Sequence, residues 1–274
     1  MKTTRTLADR AWTIAACVCV CLALIPLVSI LFDVVSRGVG ALSITLLAKL
    51  PAPPGYPGGG ISNAIIGTLV LVALGSTVGI PIGILSGVYI SEYSSSRFGP
   101  AVRFFGDVLA GIPSIVTGVL VYCLIVLEFH RYSALAGGIA LGMIMIPISS
   151  NTTTEALRAV PDSIREASLA LGIHNWRTSM LVVSNAKSAI ATGALLSIAR
   201  ITGETAPLIF TAEYTPLAFS GLDHPVASLT VVIYQYALSP FAIWQSQAWG
   251  AALILVLIVL GINICVRLAT RNRG

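Results

Sequence analysis

Two short stretches carry the side chains whose type and spacing allow chemistry. Arg200 and Glu204 stand four residues apart inside an apolar segment, in Ala199-Arg200-Ile201-Thr202-Gly203-Glu204-Thr205-Ala206-Pro207-Leu208. On a helix that spacing puts both on one face, within ion-pair reach. Guanidinium is a planar fork of donors that suits the oxygens of phosphate. A neighbouring carboxylate would hold the fork when no anion competes, release it when one does, and repel stray anions. Gly203 leaves room for close approach, and Pro207 frees a backbone carbonyl upstream. An arginine at the middle of a bilayer costs at least ~2.5–3.5 kcal/mol on insertion scales, so it must face a cavity or a partner. Counted from Lys187 at about 1.5 Å per residue, Arg200 reaches that depth. A buried pair that only fixes helix packing is the alternative, and such pairs are weak evidence for stability.

The second stretch is Ser163-Ile164-Arg165-Glu166-Ala167-Ser168-Leu169-Ala170-Leu171-Gly172. Ser163-x-x-Glu166 has the capping-box spacing, and Pro161 just upstream suits a helix start. Gly172 suits the left-handed position that ends a helix. The two turns between them are too short to span a membrane. Ile164, Ala167 and Leu171 share one face. Asn175 is placed to cap a second helix that runs through Trp176 and Arg177 toward the next apolar segment. A short capped helix with an apolar face and charged rim is either a connector or a knob that docks into a partner's groove.

Elements that position these stretches follow from composition. Only 10% of the 274 residues are charged and 56% are hydrophobic. A soluble domain carries about 25% charge, so this chain cannot cover a globular surface. Charge is absent from residues 11–32, 50–91, 108–127, 132–154 and 225–266. A transmembrane helix needs roughly 20 apolar residues, and these runs supply them. The fold expected is an all-α integral membrane protein with six transmembrane helices, at about 11–32, 62–91, 108–127, 134–152, 188–211 and 246–266. Lys2, Arg5 and Arg10 precede the first span, which reads as uncleaved because no small-residue cleavage site ends it. With the N-terminus inside, twelve Lys and Arg lie on the cytoplasmic side: Lys2, Arg5, Arg10, Arg97, Arg103, Arg158, Arg165, Arg177, Lys187, Arg267, Arg271 and Arg273. Only Arg37, Lys49 and Arg131 lie outside, which places both termini in the cytoplasm. The same distribution argues against a nucleic-acid partner, despite the net charge of +5.

Further features refine the arrangement. Gly75, Gly79, Gly83 and Gly87 recur every four residues in the second span, so they line one face that should be buried against another helix. Pro81 is placed to kink that span. Pro51, Pro53, Pro54 and Pro57 stiffen the external loop at 33–60. An apolar segment around Val226–Ala237 reads as a surface or re-entrant helix in the external region 212–245. Cys17, Cys19, Cys21, Cys123 and Cys265 all lie in apolar runs and read as small packing residues, and His130 reads as a solvated turn residue. The sequence holds no Gly-x-x-x-x-Gly-Lys-Ser/Thr loop, so the chain is not expected to bind ATP itself. Neither a metal cluster nor a nucleophile–base pair is legible, and no cofactor is expected.

Glu166-Ala167-Ser168 followed by Gly172 resembles the EAA loop of ABC-importer permeases, whose coupling helices dock into an ATP-hydrolysing subunit. Gly59-Gly60-Ile61-Ser62-Asn63-Ala64-Ile65-Ile66-Gly67-Thr68, Ile112-Pro113-Ser114-Ile115-Val116, Val160-Pro161-Asp162-Ser163-Ile164-Arg165-Glu166-Ala167, the Arg200–Leu208 stretch and Ser239-Pro240-Phe241-Ala242 extend the likeness to the phosphate-import permeases, over residues 58–270. That family often has arginine and glutamate where Asn151 and Thr154 stand here, and a Leu-Pro pair often stands near Ser184-Asn185. The resemblance implies a type I ABC-importer permease fold, with residues 1–57 forming the first helix and external loop and 58–270 the permease domain. It implies a multi-pass protein of the inner membrane, in contact with lipid, that is a transport subunit rather than an enzyme. Arg200 and Glu204 would lie on the phosphate pathway; Glu166, Ala167, Ser168 and Gly172 would couple to the ATPase. The partners implied are a second permease subunit (the C-type of the Pst system), a homodimeric cytoplasmic ATPase and an extracytoplasmic phosphate-binding protein. Residue chemistry alone leaves sulfate and molybdate open as alternatives.

Overall fold

The computed structural model describes residues 2–94 and 96–271, the side chains of 2–11, 265–267 and 269–271 excepted. The side chains of Lys2, Arg5, Arg10, Cys265, Arg267, Arg271 and Arg273, used above, therefore lie outside the described residues. The chain is helical throughout the described regular structure: α1 (Lys2–Ala41), α2 (Ile44–Ala48), α3 (Ser62–Glu92), α4 (Gly99–Gly111), α5 (Ser114–Phe129), α6 (Ala134–Arg158), α7 (Asp162–Ala170), α8 (Asn175–Thr202), α9 (Ala206–Thr211), α10 (Leu229–Ala237) and α11 (Ala242–Arg271). Among the described residues five helices, α1, α3, α6, α8 and α11, are long and apolar enough to cross a membrane. The pair α4–α5 makes a sixth crossing if counted as one broken span, with a bend of 103° between its halves.

The centre of the bundle is the seam between α3 and α6. Each glycine of the predicted stripe brings the α3 backbone against α6. A Cβ at Gly79 would lie 2.6 Å from Met145 Cβ and 2.9 Å from the Gly142 oxygen; one at Gly83 would lie 2.6 Å from Ser149 Cβ. Gly75 meets Leu141, and Gly87 meets Thr153. Lipid tails are as apolar as leucine, so helices in a bilayer gain from close packing rather than from escaping water. The stripe supplies that closeness, as its spacing predicted. Buried Leu71, Leu141, Met145, Ile201 and Leu208 continue the core toward α8 and α9. By contrast, Leu22, Ile25 and Phe32 of α1 are exposed, the apolar exterior a bilayer requires.

The outer end is built from irregular backbone tied to helix ends. Leu46 of α2 is buried, and its carbonyl accepts from the Ile61 N–H just before α3. The segment expected to be a surface or re-entrant helix is α10, whose Leu229, Val232 and Tyr236 are buried in the core. Its N-cap is Ser228, and the Leu229 N–H donates to Thr68 Oγ1 on α3.

Several boundaries differ from the sequence reading. The first helix runs on to Ala41 rather than ending near 32. Asp33 and Arg37 pair one turn apart, Arg37 lies over the Trp249 ring, and Gly38 allows a close approach to Leu253 of α11. Those contacts hold the added turns. The expected span at 108–127 is met by the broken pair α4–α5, bent by 103°. Its Ile112-Pro113 sequence ends α4 and starts α5, because proline disfavours a helical conformation in the residue before it. The fifth span was expected at 188–211. Instead α8 begins at Asn175, runs unbroken to Thr202, and gives way at Gly203–Thr205 to the short α9.

Candidate functional site

Arg200 is delivered by the packing of α8 on α6. A Cβ at Gly193 would lie 2.5 Å from Thr152 Oγ1, so these helices touch there. Ser197 and Arg200 follow Gly193 at i+4 and i+7, on the same face. Ser197 is fully buried and its hydroxyl donates back to the Ala194 carbonyl. The face therefore passes from tight contact at Gly193 to a polar side chain two turns further on, where a half-open cavity lies between α4, α6 and the end of α8.

That cavity measures about 470 Å³ and is lined by Pro113, Ser114, Pro147, Asn151, Arg200 and Glu204, among others. Both breaks in the spans meet there. The Gly111–Ser114 bend lines it from one side, and Glu204 lies in the Gly203–Thr205 break on the other. Irregular backbone at membrane depth is tolerated where it lines a cavity, so the two breaks mark one place. The half-helices beyond them are locked together: a Cβ at Gly118 of α5 would lie 2.6 Å from Pro207 Cα of α9. Neither Gly118 nor Pro207 shows in its own local sequence that the two adjoin.

Arg200 Nη1 donates to Glu204 Oε1, as the i+4 spacing predicted. The helix itself stops two residues before Glu204, so the pair bridges a helix end instead of lying along a helix. Its partners differ sharply in exposure: the Arg200 side chain is 59% exposed and that of Glu204 only 7%. The carboxylate is the fixed, buried member. Its backbone is pinned as well, since Thr230 Oγ1 of α10 donates to the Glu204 carbonyl at 2.9 Å. Thr230 went unnoticed in the sequence because its partner is 26 residues away across an irregular segment. A side chain at Gly203 would meet only the Arg200 carbonyl, at 4.0 Å, so the space over this glycine is open. Pro207 stands at the start of α9, where its missing N–H costs nothing. Asn151 lines the same cavity. Thr154 does not; its hydroxyl is buried and donates to the Ser150 carbonyl.

The short polar helix lies at the other end of α8. The predicted capping box is not made: Pro161 occupies the N-cap position, and no side chain caps the first amides of α7. Proline is already extended (φ −57°, ψ 140°) and sets the helix start by itself. Nor does Asn175 cap α8; His174 holds the N-cap position without a side-chain bond. The C-terminal expectation is met in full. Gly172 has φ +75°, its N–H donates to the Leu169 carbonyl, and the Ile173 N–H donates to that of Ser168. This is the Schellman arrangement. Ser168 is buried and shares a 2.8 Å hydrogen bond with Thr178 on α8, while Glu166 and Ala167 are exposed. Of the three residues expected on one apolar face, Ile164 packs into a core cluster with Leu157 and Val182, and Leu171 is exposed.

Cys17, Cys19, Cys21 and Cys123 are exposed on helices, pointing away from the core rather than packing in it. His130 sits in the turn after α5 with φ 51°, and is solvated as expected.

Residues 79–272 match the family described as binding-protein-dependent transport system inner membrane component. The chain belongs to this family. It is 44% identical to the phosphate transport system permease protein PstA of Haemophilus influenzae over 246 residues, 89% of this chain and 87% of that one. The corresponding protein of Yersinia pestis is 42% identical, with 88% and 82% covered. PstA 1 of Mycobacterium tuberculosis is 37% identical over 264 residues, with 92% and 85% covered. Among solved structures, an inward-facing MetNI methionine ABC transporter matches with a TM-score of 0.63 at 17% identity, covering 78% of this chain and 94% of that one. An amino acid ABC transporter matches with a TM-score of 0.60 at 18% identity, covering 77% and 92%. These neighbours establish the fold, an ABC-importer permease of type I. The chain is a multi-pass inner-membrane transport component and not an enzyme.

Proposed function

We propose that this chain is the A-type permease subunit of an ATP-driven phosphate importer. Residues 58–270 are its permease domain, and residues 1–57 are an added helix and external loop. It forms half of the translocation pore, beside a C-type permease subunit of the Pst system. A homodimeric cytoplasmic ATPase docks on α7 and supplies the energy. An extracytoplasmic phosphate-binding protein delivers the substrate to the outer end.

The observation that carries this reading is an exposed guanidinium held beside a buried, anchored carboxylate, at the junction of two broken spans. Arg200 has donors left for an incoming anion, and Glu204 cannot follow it away. Phosphate competes for the fork, and the carboxylate reclaims it after the anion leaves. At the other end, Glu166 and Ala167 meet the ATPase, while Ser168 and Gly172 lock α7 onto α8. The 40%-level identity to phosphate permeases over nearly the whole chain supports phosphate as the anion. The test is uptake of labelled phosphate by the complete transporter in liposomes, with sulfate and molybdate as competitors. Uptake that requires ATP and resists a large excess of both competitors is expected. Competition by either at equal concentration overturns phosphate as the substrate.

A further inference from the structure

The coupling helix is fastened to the bundle through α8, through Ile164 packed with Leu157 and Val182, and through Arg165. Arg165 is the polar tie to α3 and α6. Its guanidinium has five N–H donors, and five acceptors surround it. Nη2 donates to Glu92 Oε1 at 2.8 Å and to the Leu157 carbonyl at 2.9 Å. Nη1 donates to the Val160 carbonyl at 2.9 Å and to Asp162 Oδ1 at 3.1 Å, and Nε to Glu92 Oε2 at 3.5 Å. Glu92 is the last residue of α3, and Leu157 lies in the last turn of α6. Arg165 therefore joins α7 to the ends of both helices of the central seam.

Glu92 is placed against local preference. It lies at the C-terminal end of a helix, where the macrodipole disfavours a carboxylate. Its side chain is 5% exposed, so little water compensates. Arg165 is its cationic partner, and Ser91 Oγ adds a donor at 3.3 Å. The hydrogen bond that Arg165 donates to Glu92 raises the Arg165 pKa further, and the guanidinium is a permanent cation.

We infer that Arg165 is a positioning residue, a strut that carries displacement of the coupling helix into the α3–α6 seam. The inference rests on the reading of α7 as the ATPase-docking element. The cavity has Asn151 and Pro147 of α6 on one wall and Arg200 of α8 on another. Displacement of α7 reaches Arg200 along α8, through Ser168–Thr178 and the Gly172 turn. Through Arg165 it reaches the α6 wall at the same time, because the glycine stripe makes α3 and α6 one block. Without the strut, the Arg200 wall would move and the α6 wall would lag.

The experiment uses the complete reconstituted transporter and reads phosphate imported per ATP hydrolysed. Glu92→Gln keeps the shape and removes the charge. The expected result is ATP hydrolysis near the wild-type rate with the ratio lowered at least about fivefold. An unchanged ratio, or hydrolysis and uptake falling in equal proportion, overturns the strut. Arg165→Lys keeps the charge with three donors instead of five, and is expected to lower the ratio by a smaller factor. A second measurement keeps the native contact. Spin labels at exposed Leu85 on α3 and Leu169 on α7 are expected to hold one separation in the nucleotide-free and ATP-bound states. A separation that changes between states overturns the strut whatever the variants do. A wild-type transporter that imports no phosphate overturns the underlying reading instead.

Discussion

Two arginine–carboxylate pairs, Arg200–Glu204 and Arg165–Glu92, sit in contrasting surroundings. In each, the carboxylate is buried and lies at or just beyond the end of a long helix. The arginines differ. Arg165 is 21% exposed and all five of its donors are engaged, on three helices and a connecting turn. Arg200 is 59% exposed, with Glu204 as its hydrogen-bond partner, at the edge of a 470 Å³ cavity. A saturated guanidinium holds structure together and has nothing left to offer a ligand. A guanidinium with spare donors in a cavity can exchange partners. Charge and residue type are the same in both pairs; the number of acceptors within reach is what differs.

Removing Arg200 tests the exchange half of this comparison and should have the largest effect. Arg200→Ala is expected to lower phosphate uptake on the order of 100-fold, the loss of two charge-assisted hydrogen bonds to the anion, while the complex still assembles. Uptake within twofold of wild type would remove Arg200 from the pathway. Gly172→Val tests the fastening at the other end of α8. No atom lies within 4 Å of a Cβ built there, so the whole cost is the left-handed backbone, about 1–2 kcal/mol. Uptake should fall about tenfold, with phosphate binding to the isolated pore unaffected; Gly172→Asn, which tolerates this conformation, should restore most of it.

Lysine substitutions sharpen the contrast directly. Arg165→Lys should lower thermal stability by roughly 1–3 kcal/mol, because two donors are lost beside buried acceptors. Arg200→Lys should leave the melting temperature unchanged and reduce uptake several-fold. Equal effects on stability would erase the distinction. A third pair, Arg131–Asp223 at the outer end, supplies the lower bound, since both side chains are about half exposed. Backbone hydrogen bonding, His224 and Arg131 hold the Asp223 carboxyl below its ordinary value. A depressed carboxyl stabilises above its unfolded pKa and loses that contribution as pH falls through the folded one. Asp223→Asn should therefore differ from wild type only slightly in melting temperature at pH 7, with the difference shrinking as pH falls below the ordinary carboxylate range. Neither this variant nor Arg131→Ala should change uptake more than about twofold.

Much of this was readable before any coordinates. Span positions followed from charge-free runs, and the α3 face from glycines at every fourth residue. Gly172 was legible because a left-handed helix end has few chemical solutions. The Arg200–Glu204 pair was legible because two charges in an apolar run must find each other. Proline altered two other expectations. Ser163 and Glu166 have the spacing of a capping box, yet Pro161 already sets the backbone that the box would have set. The span at 108–127 has the length to cross, yet Ile112-Pro113 breaks it.

Sequence alone determined which segments lie in the membrane, which helix face packs closely and which arginine pairs with a carboxylate inside an apolar segment. Those properties depend on composition and on spacings within one element, where period and hydropathy suffice. Tertiary structure decided the rest: that the breaks at Pro113 and Gly203 form one cavity, that Thr230 anchors Glu204, and that Arg165 reaches Glu92, 73 residues away. Such contacts depend on how helices lean on one another. That is set by close approaches at Gly75–Gly87, Gly118 and Gly193, between residues no local pattern connects.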